Sequence, residues 1–266
     1  MSDRERFVRL RAGRPIWAIA AVHGQLDRLS QLHENLSRRI ELGDAVVYLG
    51  NYIGVGSQTL EVIEQLLRMR VWLLARPFAT SCDVAFLRGA QEEMWGKLLQ
   101  LHFAPNPRDV LGWMMSRGVD ATLAAYGGDA NAGMIAANEG PVALSRWTQS
   151  LRDSMARRPG HTALMTGLRR AAFTQDQRLL FVHAGLDPAR PLDRQGDSFW
   201  WAARGFEGIA EGYDPFALVV RGFDPARRGV LRTDSTLSID AGCGYGGPLV
   251  AVRLSPDGTE LDRIEA

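Results

Sequence analysis

Ile16-Trp17-Ala18-Ile19-Ala20-Ala21-Val22-His23-Gly24 is an apolar run that stops at a histidine and a glycine, and a polar amphipathic stretch follows at once. That order predicts a buried strand, a sharp turn and a helix. In an open α/β sheet, ligands bind at the carboxyl ends of such strands, which places His23 where chemistry is usually done.

The same unit recurs downstream. Gln25–Ile40 carries Leu26, Leu29, Leu32 and Leu36 at helical spacing, and Ala45–Leu49 is a continuous apolar run suited to a parallel strand buried on both faces. Gly50-Asn51-Tyr52-Ile53-Gly54-Val55-Gly56 is a glycine-punctuated loop, Ser57 is placed to cap the next helix, and Leu60, Ile63, Leu66 and Leu67 form its apolar face. Val84–Leu87 ends at Arg88-Gly89, and a helix starts near Ala90 with Glu92 and Glu93 in its first turn, where negative charge suits the helix dipole. Three strand–loop–helix units predict right-handed crossovers and a parallel sheet.

Between Pro105 and Pro159 the chain changes character, with Trp113, Met114, Met115, Trp147 and Met155 set among turn residues. This reads as a helical insertion, a cap at about 105–160, with the Met and Trp stripe as packing. Strand patterns return at Leu179–Val182, ending in His183-Ala184-Gly185, and at Ala217–Val220, ending in Arg221-Gly222-Phe223. Thr236–Asp240, Leu249–Leu254 and a short strand after Pro256-Asp257-Gly258 complete the series.

The bulk properties narrow the class. The chain has 266 residues, 46% hydrophobic and 23% charged, which supports one large well-packed domain spanning 1–266, with the cap inserted in it. A net charge of +1 argues against nucleic acid held by bulk electrostatics. Cys82 and Cys243 form neither a disulfide framework nor a metal knuckle and read as buried or semi-buried thiols. No apolar segment reaches the ~20 residues of a membrane span and the first residues hold no leader-like core, so the expected location is cytoplasmic. His33, His102 and His161 read as solvated.

Read together, five strand-end loops resemble the calcineurin-like metallophosphoesterases, closest to the branch of bacterial serine/threonine protein phosphatases and diadenosine tetraphosphatases. The family's Asp-x-His-Gly, Gly-Asp-x-x-Asp-Arg-Gly, Gly-Asn-His-Glu, His-Ala-Gly and Gly-His-Thr-Pro stand here as Ala21-Val22-His23-Gly24, Gly50–Gly56, Gly89-Ala90-Gln91-Glu92, His183-Ala184-Gly185 and Gly222-Phe223-Asp224-Pro225. Ile239–Gly242 and Tyr245–Leu249 look like the family's final hairpin, and the likeness covers about Ile16–Phe103 and Leu179–Leu254. It implies an α/β fold: a four-layer αββα metallophosphoesterase sandwich with a helical cap insertion.

For chemistry the resemblance implies loss. Family members hold two divalent metals, such as manganese, iron or zinc, which clamp phosphate and activate a hydroxide. One metal falls at the positions of Ala21, His23 and Asn51, the other at Asn51, Ala90, His183 and Phe223, and only His23 and His183 keep the family's residue. The proton-donating histidine is Gln91, which cannot act as a general acid. The Asp-Arg pair that orients it and grips phosphate is Gly54-Val55. Ala21, His23, Asn51, Gly54, Ala90, Gln91, His183 and Phe223 are thus a vestigial site, with no catalytic residue and no metal expected, because alanine and phenylalanine cannot ligate and an amide replaces a bridging carboxylate poorly. Arg221, helped by His23 or His183, is the candidate for a metal-free anion site, with Arg88 and Arg204 as further anion-binding candidates. The expected function is a pseudoenzyme that binds a phosphate-containing ligand or a protein partner. The alternatives are an active phosphoesterase, of the protein serine/threonine phosphatase or dinucleoside polyphosphate hydrolase type, with a rearranged metal site, and a structural or oligomerising subunit.

Overall fold

A computed structural model describes residues 6–266. Two sheets lie at its centre. The first has the order β1 (Phe7–Leu10), β5 (Ala171–Thr174), β6 (Leu179–Val182), β7 (Leu218–Arg221), β9 (Thr236–Ser238), β8 (Leu231–Arg232). The second runs β11 (Glu260–Glu265), β10 (Val250–Leu254), β2 (Ile16–Ile19), β3 (Ala45–Tyr48), β4 (Val84–Phe86). Strands β2, β3 and β4 are parallel, as their unbroken apolar runs demand, and β10 and β11 close that sheet with antiparallel pairs. Both sheets are mixed. Strands β1 and β5 carry little alternation in sequence and become visible only through their pairing with each other and with β6.

Helices α1 (Leu26–Arg39) and α2 (Thr59–Leu74) follow β2 and β3 and bury Leu29, Leu32 and Leu36 from one, and Val62, Ile63 and Leu66 from the other. Helix α2 starts one residue later than a Ser57 cap requires: its N-cap is Gln58, with no side-chain cap bond. Helix α3 (Ala90–Leu98) follows β4. The first sheet splits its side chains by alternation. Leu10, Ala172, Leu179, Phe181, Leu218 and Val220 join the main core between the sheets. Phe7, Phe173, Leu180, Val182 and Val219 face a separate apolar layer with Phe199, Trp200 and Phe206 from α9 (Ser198–Trp201) and α10 (Ala203–Glu207). Helix, sheet, sheet and helix are therefore stacked in four layers.

Residues 107–156 form α4 (Pro107–Met115), α5 (Val119–Ala125), α6 (Ala130–Glu139) and α7 (Pro141–Ala156), and α8 (His161–Gly167) leads into β5. Met114 and Met155 are buried and Trp147 closes over Gly133, so most of the stripe is packing, whereas Trp113 is exposed. Two histidines read as solvated are buried instead. His33 lies between Tyr48 Oη (2.9 Å) and Gln65 Nε2 (3.2 Å), and His161 meets Tyr126 Oη at 2.8 Å. In both cases a tyrosine on another element supplies the partner that water would have been. Cys82 is exposed and Cys243 buried. Among the described residues no helix is long and apolar enough to cross a membrane.

Candidate functional site

The ends of β2, β3, β6 and β7 meet at one point. Val22 and His23 both donate their backbone N–H to Asn51 O, at 3.0 and 2.7 Å, and Ala21 N–H reaches Gly222 O at 3.0 Å. Three of the strand-end loops are thus tied by main-chain bonds before any side chain takes part. His23 and Asn51 adopt left-handed backbone, at φ of 52° and 54°. That conformation is uncommon for non-glycine residues and is held here by the surrounding bonds. Gly222 must lack a side chain, because a Cβ there would stand 2.2 Å from Leu49 Cβ.

One buried carboxylate braces this region. Glu92 accepts four backbone N–H groups: Asn51 (2.9 Å) and Gly89 (2.8 Å) on one oxygen, Tyr52 (2.7 Å) and Ile53 (3.2 Å) on the other. Burial pushes its carboxyl up, and the four donors pull the other way. Sequence reading placed Glu92 at a helix start for its dipole; its larger role, clamping the loop after β3, depends on a 40-residue separation closed only in space.

The two retained histidines flank one phenyl ring. Phe223 lies parallel to the His183 imidazole, with centroids 5.2 Å apart and planes 3° from coplanar, and edge-on to His23 at 5.7 Å. His183 Nδ1 sits 2.7 Å from Leu49 O, so it carries the proton and leaves Nε2 as an acceptor, which has no partner among the described residues. His23 Nδ1 is likewise unpartnered, and its Nε2 lies 3.5 Å from Asn51 Nδ2. Burial depresses both imidazoles, His23 to about 3 with help from His183 and Arg227, and His183 to about 4 against the opposing pull of the Leu49 carbonyl. Both imidazoles are therefore neutral at ordinary pH.

No family model and no curated protein matches the chain. Solved structures do match over nearly its full length. A proposed diadenosine tetraphosphatase aligns over 98% of both chains, with a TM-score of 0.53 and 19% identity. A protein serine/threonine phosphatase from Saccharomyces cerevisiae aligns over 94% of this chain and 76% of its own, with a TM-score of 0.55 and 14% identity. The chain has the calcineurin-like metallophosphoesterase fold.

The metallophosphoesterase fold implies a metal pair where Phe223, His23 and His183 now meet, and the residues present do not fit one. Ala21 and Ala90 offer methyl groups. Asn51 Oδ1 accepts the Gln91 backbone N–H at 2.9 Å, which turns the amide NH₂ toward His23 and presents protons where a metal requires lone pairs. Phe223 puts a ring against the free face of His183. Among the described residues no group of three or more His, Cys, Asp or Glu side chains is arranged to hold a metal ion. Gln91 itself is turned away, donating Nε2 to Arg117 O on the cap at 2.7 Å. Gly54 leaves room for it: a Cβ there would come within 2.2 Å of Gln91 Oε1, at φ +81°. Gly54→Ala is accordingly expected to destabilise the protein by about 2 kcal/mol, read as a drop in thermal midpoint. A midpoint equal to wild type would show that Gln91 moves aside without penalty.

The cap seals the rest. Gly54 N–H donates to Thr122 Oγ1 at 3.1 Å and Val55 N–H to Gly118 O at 3.0 Å, so the loop that carries the phosphate-gripping pair in the family is stitched to α5.

The arginines foreseen for an anion site do not converge on this pocket. Arg221 pairs with Asp224 at 2.9 Å, donates from Nε to Ser238 Oγ at 3.0 Å and lies 4.3 Å over the Phe206 ring. Alternation puts it with Val219 on the outer face, and Gly222 interrupts the strand, so Phe223 turns to the opposite side. Arg88 pairs with Glu93 at 3.1 Å. The side chain of Arg204 lies outside the described residues. The cations at the mouth are ones that sequence reading passed over. Arg227 lies 4.1 Å over Tyr245, whose ring packs edge-on to His23 at 5.5 Å, and Arg117 sits over Trp113 at 5.8 Å. Trp113 packs in turn on Trp201 at 5.9 Å. The segment after β7 supplies Arg227, the final hairpin Tyr245, helix α4 Trp113 and the loop before α5 Arg117, so the group is assembled from separate stretches of chain.

Proposed function

We infer that this chain is a metallophosphoesterase-fold protein that does not hydrolyse phosphoesters and acts by binding. The observation that carries the reading is Phe223 stacked on His183 between the two surviving histidines. It sets an apolar ring, which has no lone pair to give a metal, where the family has a ligand. The replacement of the proton-donating group by Gln91 and of the bridging carboxylate by the Asn51 amide points the same way. The exposed arginines and aromatic rings at the mouth are suited to an anionic, phosphate-bearing group or to an acidic protein segment.

Metal content and turnover test it together. After incubation with manganese and desalting, the protein is expected to retain no stoichiometric divalent metal and to show no hydrolysis of p-nitrophenyl phosphate above the buffer rate. Metal at one or two ions per chain, with turnover abolished by His183→Ala, would establish the alternative of an active phosphoesterase with a rearranged site. The unpartnered nitrogens of His23 and His183 favour that alternative, since each keeps a lone pair free.

A further inference from the structure

A cavity of about 500 Å³ opens well away from the vestigial site, where β1 and β4, each the terminal strand of its sheet, come side by side under α2 and α8. None of His23, Asn51, Gln91, His183 and Phe223 lines it. Its volume lies in the range of small-molecule sites. The inner wall is apolar, built from Phe7, Ala85, Phe86 and Leu164, all buried. The rim is basic: Arg9 from β1, Arg70 from α2 and Arg169 from the segment before β5. Among the described residues none of these three is in an ion pair. Asp83, beside the cavity-lining Cys82, is already held by Arg11, and Glu64 on α2 pairs with Arg158. An apolar pocket ringed by guanidinium groups without acidic partners selects one ligand chemistry: an apolar or aromatic body that fills the cavity, with an anionic group to meet the arginines. The geometry points to a binding site for a small organic anion of this kind, independent of the metallophosphoesterase centre.

Cys82 is a local reporter, because it lines the cavity and is exposed while Cys243 is buried. The rate of Cys82 alkylation by iodoacetamide is followed by mass spectrometry with three probes. These are 1-anilinonaphthalene-8-sulfonate, its uncharged counterpart N-phenyl-1-naphthylamine, and inorganic phosphate. The sulfonate at ten times its dissociation constant should slow alkylation about tenfold, with weaker protection from the other two at equal concentration. Arg9→Gln combined with Arg70→Gln, both on exposed side chains and checked for folding by circular dichroism, should weaken the sulfonate's protection on the order of tenfold and leave the uncharged probe unchanged. Equal protection by charged and uncharged probes, or protection unaffected by the double variant, would show that the arginines select nothing. Protection by phosphate as strong as by the sulfonate would remove the role of the apolar wall. No protection by any probe would mean that the cavity is not a site. Each of these results overturns the proposal.

Discussion

Acidification from about pH 7 to pH 5 is expected to destabilise the protein steeply, through three buried histidines. Burial depresses His23 and His33 to about 3 and His183 to about 4, from an ordinary value of 6.5. With the folded value below the unfolded one, the unfolded chain binds more protons in the interval between them. The histidines therefore cost nothing above pH ~6.5, and stability is lost as the pH falls toward the folded values. At pH ~5 each histidine opposes folding by about 2 kcal/mol, and the three together by about 6 kcal/mol. The carboxyls of Glu92 and Asp240, which burial pushes up, act with the opposite sign and return part of this. A comparison within one series isolates the histidine term. Chemical denaturation from pH 7 to 5 is expected to show an average slope shallower by about 1 kcal/mol per pH unit in His33→Gln and in His183→Gln than in wild type. Parallel curves for wild type and both variants would mean that the imidazoles are hydrated after all.

The second large effect is expected at Glu92. Replacing it with alanine orphans the backbone N–H groups of Asn51, Tyr52, Ile53 and Gly89, which water reaches poorly. A buried donor without a partner costs about 1–3 kcal/mol, so even partial rescue by entering water leaves a loss on the order of 4 kcal/mol. For a chain of this size that is a fall in melting temperature of about 8–16 °C. Glu92→Gln should recover little, because its NH₂ faces donors rather than acceptors. The damage also travels: the freed loop carries Asn51 O, which accepts from both Val22 and His23. A loss below about 1 kcal/mol in Glu92→Ala would show that the loop is braced by the cap alone.

Clamp and depressed imidazoles belong to the same piece of architecture. A metal centre draws strand ends together around charge. Here the same strand ends converge, but the connecting work is done by main-chain bonds, by one buried carboxylate outside the ligand set and by a phenyl ring. The convergence survives because it is a property of the β–loop–α crossovers, which depend on core packing and not on the metal.

What the sequence determined alone is local. The runs Ile16–Ala21 and Ala45–Leu49 made buried parallel strands, because continuous apolar character permits little else, and the order of the strand-end loops carried the fold. The residue types at Ala21, Ala90, Gln91 and Phe223 exclude metal ligation or proton donation wherever they sit. Tertiary structure decided everything that depends on which way a side chain turns across long separations. Strands β1 and β5 exist only as each other's partners. Arg221 faces outward to Asp224 and Phe206 because it shares a sheet face with Val219, and Phe223 faces inward because Gly222 breaks the alternation between them. Asn51 presents its NH₂ because a helix 40 residues away claims its oxygen. His33 and His161 are buried because tyrosines on other elements reach their rings. Periodicity reports the face of an isolated element, whereas hydrogen-bond partners across the fold are fixed only when the elements pack.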